Sequence, residues 1–164
     1  MSDAPISIRP RFRPRNAGDA LLSVLVIVPY QLTVLFILPS LVAYLLTRSI
    51  PAAVGAPTVI YVVVLAFTVT NLTISAEGLR FHRRLGFPKF LPWADITSIE
   101  RASQRELVLK GWLWPLLPAR EMTPSLSSIG HYRISWVGGF CYYPPRDAEQ
   151  FEKRIHAYFP RKEA

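Results

Sequence analysis

Charge is missing from much of the first half of this chain. Residues 20–47 contain no Asp, Glu, Lys, Arg or His across 28 positions, and between Ala20 and Ala76 the one charged residue is Arg48. A water-soluble domain of this size has no core thick enough to hide such a run, whereas a bilayer span needs about 20 apolar residues. Cysteine is almost missing too. Cys141 stands alone, so no intramolecular disulfide can form, which fits a reducing compartment. No phosphate-cradling glycine loop or dinucleotide fingerprint occurs. His82, His131 and His156 share no metal-ligand spacing, and one cysteine cannot build a thiolate site. Asp95, Glu100, Glu106 and Glu121 form no acid–base pair by spacing. Cys141 lies in an aromatic strand pattern, where a lone cysteine reads as an inert core residue rather than a nucleophile. These absences point away from an enzyme, and no metal or cofactor is expected.

What is present is segregated along the chain. Residues 1–19 form a basic segment, with Arg9, Arg11, Arg13 and Arg15 against Asp3 and Asp19. Residues 20–70 read as a two-helix membrane hairpin. Residues 71–164 have the length of a domain that closes one hydrophobic core. The excess of cations is explained first by membrane placement, so nucleic acid is not an expected partner.

The first span is expected over residues 20–46, with Pro29 and Pro39 inside it as kink points. Its apolar stretch far exceeds a secretory signal core of roughly 7–15 residues. Tyr30, Gln31 and Thr33 make a mildly polar band, read either as a partner-helix contact or as side chains bonding back to their own helix. The second reading is favoured because small hydroxyl residues rescue carbonyls freed at a proline. Residues 48–51 form the turn. The second span is expected over residues 52–70, short after Pro57 and therefore tilted or locally thinning the bilayer. Arginines before the first span and Arg80, Arg83, Arg84 and Lys89 after the second place both termini in the cytoplasm of a multi-pass inner-membrane protein. The Asn71-Leu72-Thr73 glycosylation tripeptide is then silent.

Beyond residue 70 the period changes to two. Leu72 and Ile74, then Leu79 and Phe81 across a turn at Gly78, predict a β-hairpin. Further strands are expected around residues 90–93, 96–100, 106–110, 131–136 and 140–143. After Pro144-Pro145, the spacing of Ala148, Phe151, Ile155, Tyr158 and Phe159 predicts an amphipathic helix, with Asp147 and Glu149 at its positive end. The fold class is thus a membrane α-helical hairpin plus a β-rich α+β domain.

Particular residues carry a family resemblance. Leu72-Thr73-Ile74-Ser75-Ala76-Glu77-Gly78-Leu79, then Pro92-Trp93-Ala94-Asp95-Ile96-Thr97-Ser98-Ile99, then the helix start Asp147-Ala148-Glu149-Gln150-Phe151 resemble the bacterial pleckstrin-homology-like (PH-like) domains joined to paired transmembrane helices. The likeness covers about residues 70–160 and departs from the pattern between Gly111 and Tyr132, which is longer and more hydrophobic. It implies an antiparallel sandwich or barrel capped by a C-terminal helix, serving as a binding or scaffolding module; it carries over no binding residue.

Two groups of residues are candidate sites. Arg80, Arg83, Arg84 and Lys89, with His82, follow the second span and suit lipid head groups, each cation near an anionic surface gaining about 1 kcal/mol. The plainer reading is the cytoplasmic excess that sets topology. Trp112, Leu113, Trp114, Leu116 and Leu117, broken by Pro115 and Pro118, suit a loop at the membrane interface or against a partner, or else a lid on the barrel core. The expected function is presentation of a binding domain to membrane lipids and to a protein partner or a second copy. The alternative is a membrane-resident immunity or regulatory protein that binds a specific toxin or membrane enzyme.

Overall fold

A computed structural model describes residues 4–66, 68–85, 87–107, 125, 127 and 129–159. The chain is mixed α+β, with one long apolar helix near its start and two antiparallel sheets. Strand β1 (Ile6–Ile8) comes first, then helix α1 (Ala17–Thr47) and helix α2 (Ile50–Ala66). Strands β2 (Val69–Ile74), β3 (Gly78–Arg83) and β4 (Lys89–Pro92) complete a sheet in the order β1-β2-β3-β4. Strands β5 (Ile96–Arg101), β6 (Tyr132–Trp136) and β7 (Gly139–Tyr143) form the second sheet, and helix α3 (Ala148–Tyr158) follows.

Helix α1 has the length and composition to cross a membrane. Its first turn is capped by Asn16, whose Oδ1 accepts from the Asp19 amide at 2.8 Å. The two prolines are absorbed without breaking it. Each follows a π turn, Ser23–Ile27 before Pro29 and Thr33–Ile37 before Pro39. The Val28 amide reaches back to the Ser23 carbonyl and Leu38 to Thr33, so the widened turn relieves the crowding that a proline ring imposes. Thr33 donates to the Pro29 carbonyl at 2.9 Å, the back-bonding expected of the polar band. The helix closes at Arg48, a non-glycine residue at φ 54°, whose amide donates to the Tyr44 carbonyl. Helix α2 folds back on α1, with the Phe36 and Tyr61 rings 5.7 Å apart.

The core lies between the two sheets. Leu72, Leu79, Phe81, Ile134, Cys141 and Tyr143 are fully buried, because inward residues alternate with polar ones along each strand. Helix α3 crosses this core. Asp147 caps it by accepting from the Gln150 amide, and Phe151 and Ile155 are buried one turn apart. Phe151 lies 4.7 Å from the Tyr132 ring, and Tyr158 and Phe159 stack on Trp93 at the sheet junction. All five positions expected on the inner face of this helix therefore meet the core. The sheets do not close into a barrel among the described residues.

Three features depart from the sequence reading. The second span is expected over residues 52–70, yet helix α2 ends at Ala66 and Val69 and Thr70 begin β2, where pairing with β3 takes over. Residues 1–19 were expected as a separate basic segment, yet Ile6, Ser7 and Ile8 pair with Ile74, Thr73 and Leu72. The segment continues along the other sheet, where Arg11 donates to the Pro144 carbonyl and Arg146 to the Arg9 carbonyl. Residues 106–110 were expected as a strand, yet Gln104–Glu106 is a helical turn. Ser103 Oγ caps it by accepting from the Glu106 amide, which makes the first residue of the expected strand helical. Residues 108–110 lie outside the described ones.

Candidate functional site

Strand alternation divides the basic cluster that looks continuous in sequence. Arg80 sits opposite Thr73 and Phe90, on the outer face of the first sheet, with its guanidinium 5.7 Å from the Phe90 ring centre. His82 shares that face and meets the Thr73 hydroxyl at 2.9 Å. Lys89 sits opposite Phe81, so it belongs to the core side of the sheet, where its Nζ lies 4.2 Å over the Trp136 ring. The structure thus brings Arg80 and His82 together and turns Lys89 away from them. Arg83 and Arg84 lie at the end of β3, beside the exit from α2: the Arg84 amide donates to the Thr68 carbonyl at 2.9 Å.

That exit is shaped by a bulge. The β2–β3 register shifts between Val69 and Asn71, and the Thr70 hydroxyl donates to the His82 carbonyl. A bulge increases strand twist, which here turns the chain from helix into sheet. Sequence reading takes Leu85-Gly86-Phe87-Pro88 as a turn and assigns its apolar residues no role. Leu85 is 60% and Phe87 90% exposed, next to Arg83 and Arg84. Set against protein-family models, curated proteins and solved structures, the chain matches none.

A second polar constellation ties the start of α1 to the domain. The Asp19 side chain is buried, accepting from the Arg15 amide at 2.8 Å and from the Ser127 hydroxyl at 2.7 Å. The Ile129 amide donates to the same hydroxyl. His131 is also buried, and its Nδ1 makes no hydrogen bond among the described residues. Burial pulls the imidazole pKa down to about 4, with the Asp19 charge opposing that pull. Neither residue was singled out as a pair in sequence, since they meet only through the fold.

Two further networks hold the second sheet. Glu106 accepts from Arg133 at 3.1 Å and from the Tyr142 hydroxyl at 2.9 Å. Glu152 on α3 accepts from Tyr132 at 2.5 Å and from Arg101 at 2.9 Å, and these bonds hold its carboxyl below the usual range, the Tyr132 bond foremost. Cys141 is fully buried opposite Ile134, in the core. Asp95 contributes its carbonyl to the Val137 amide. No cluster of His, Cys, Asp and Glu able to hold a metal occurs among the described residues. Trp112, Leu113, Trp114, Leu116, Leu117 and Glu121 lie outside them.

Proposed function

We propose that the chain is a two-span inner-membrane protein that presents a PH-like domain on the cytoplasmic side, for contacts with a protein partner or a second copy and with anionic lipid. The observation that carries this reading is the bare surface of α1. Leu21, Val24 and Leu25 are 61–64% exposed, and Leu46 is 80% exposed. Leaving that much apolar area in water is costly, and a bilayer removes the cost. Helix α2 supports a second span: 17 uncharged residues extend about 26 Å, close to the hydrocarbon thickness once the bilayer thins or flanking residues reach up.

The pairing of β1 with β2 supports a hairpin topology. The segments before α1 and after α2 are neighbours in one sheet, so both stand on one side of the two helices. Arginines on that side favour the cytoplasm. The PH-like reading draws support from seven strands among the described residues, in antiparallel sheets of four and three, followed by a helix across the core. In this reading the role is recruitment. Confinement to the membrane plane raises the effective concentration of the domain for partners in the same membrane.

A reporter active only outside the cytoplasm, fused after Ala164, tests the topology. Silence is the expected result, and activity refutes it. Crosslinking in native membranes followed by mass spectrometry tests recruitment; recovery of neither a partner nor a self-crosslink refutes it.

A further inference from the structure

The hairpin β2–β3 is asymmetric along its length. At one end the 76–78 turn carries Ala76, exposed Glu77 and no large apolar side chain. At the other end the connection from β3 to β4 exposes Leu85 and Phe87, following Arg83 and Arg84. The backbone fixes where this second end lies. The Leu85 amide donates to the Ala66 carbonyl at 3.3 Å, so the connection is stitched to the last residue of α2, where the chain leaves the apolar helix.

Exposed Leu85 and Phe87 following exposed Arg84 at a helix exit match one environment closely. The boundary between head groups and acyl chains accepts apolar rings, and its phosphates accept guanidinium groups. Charge complementarity and continuity with α2 therefore select a lipid surface as the occupant. We propose that the connection from β3 to β4 is an interfacial anchor: Leu85 and Phe87 enter the headgroup–acyl boundary of the membrane that α2 crosses, and the exposed Arg84 meets lipid phosphate. The inference rests on the membrane reading above and adds an orientation to it. The β2–β3 hairpin stands with its 84–88 end in the bilayer surface and its 76–78 turn directed away.

The test uses the full chain in bilayers of phosphatidylcholine and phosphatidylglycerol. A nitrobenzoxadiazole label is placed at Phe87→Cys or at Glu77→Cys, five strand residues or about 17 Å further along; Cys141 is buried and does not compete for label. Lipids with a nitroxide high on the acyl chain should quench and blue-shift the label at 87 and spare the one at 77. The variant Arg84→Ser should reduce that quenching, and an unchanged value overturns the part assigned to the arginine. Absence of quenching at 87 in a chain that resists alkaline carbonate overturns the anchor loop and leaves the spans standing. Release of the chain by carbonate overturns the spans and the loop together.

Discussion

Acidification should loosen the junction between α1 and the domain through His131. The side chain is 5% exposed and its imidazole pKa is lowered from 6.5 to about 4, burial being the main cause. Asp19 and the nearby Ile129 backbone oppose the shift, and Arg15 adds to it. The direction follows from proton counting. Between pH 6.5 and about 4 the unfolded chain binds a proton at His131 that the folded chain refuses, so stability rises with pH through this window. The contribution is whole above 6.5, falls as pH falls, and levels off below about 4. At about 1.4 kcal/mol per pKa unit, the full span corresponds to about 3 kcal/mol. His131→Leu removes the titration and keeps the site apolar. Denaturation of the full chain in mild detergent, followed by tryptophan fluorescence at several pH values from 7.5 to 4, measures the effect. The variant should close on the wild type, or overtake it, as pH falls. Parallel pH dependence of the two proteins would refute the argument, because they differ only at residue 131.

Two core features give further expectations. A Cβ at Gly78 would overlap the Leu91 carbonyl oxygen and stand 2.8 Å from Pro92 Cα, both backbone atoms of the adjacent strand. Gly78→Ala should therefore cost about 3 kcal/mol, read as a lowered midpoint in the same denaturation assay; an unchanged midpoint means that β3 and β4 can separate here at little cost. Glu106→Ala should cost about 1–2 kcal/mol by leaving Arg133 and the half-buried Tyr142 hydroxyl without their acceptor. It should also bring the Tyr142 phenol, now held above its ordinary value by burial and by Glu106, down towards 10 in an ultraviolet titration.

How much of the fold is readable from the sequence depends on the range of the forces involved. Helix α3 was legible because its signals are local: an Asp147 cap and apolar residues at helical spacing. The β2–β3 hairpin was legible for the same reason, through alternation around Gly78. The turn at Gln104–Glu106 was also local, since Ser103 and Glu106 have the spacing of a capping box, but the apolar run after it suggested a strand. Strand β1 was not legible. A strand of three residues, set between Pro5 and Pro10, has no intrinsic pattern strong enough to mark it, and its partner β2 lies beyond both apolar helices. The basic cluster was legible as composition and misleading as geometry. Spacing groups Lys89 with Arg80, while the β3–β4 register puts them on opposite faces. Leu85 shows the same limit, since one apolar residue in a turn acquires meaning only when its backbone is bonded to the end of α2.

The contribution of β1 has a consequence for dissecting this protein. A fragment of residues 71–164 matches the domain boundary drawn from composition, yet it removes the strand before α1 and the first two residues of β2. Ile8, 3% exposed, and Val69, fully buried, leave the core. Each such side chain contributes about 1.5–3 kcal/mol by burial. The Tyr143 hydroxyl, which donates to the Ile8 carbonyl at 2.6 Å, loses its acceptor in a buried position. An orphaned buried donor costs about 1–3 kcal/mol. Together these losses amount to about 4–9 kcal/mol, comparable to the whole stability of an ordinary domain. The fragment should be largely unfolded, with the weakly dispersed amide spectrum of a disordered chain. A second, joined fragment tests whether β1 is the reason. Residues 4–15 connected by a glycine-serine linker to residues 68–164 restore β1, Val69 and the Arg9 and Arg11 bonds to the 144–146 segment while omitting both apolar helices. This chain should recover dispersed amides and cooperative unfolding. A well-folded 71–164 fragment would show that β1 is an ornament on the sheet.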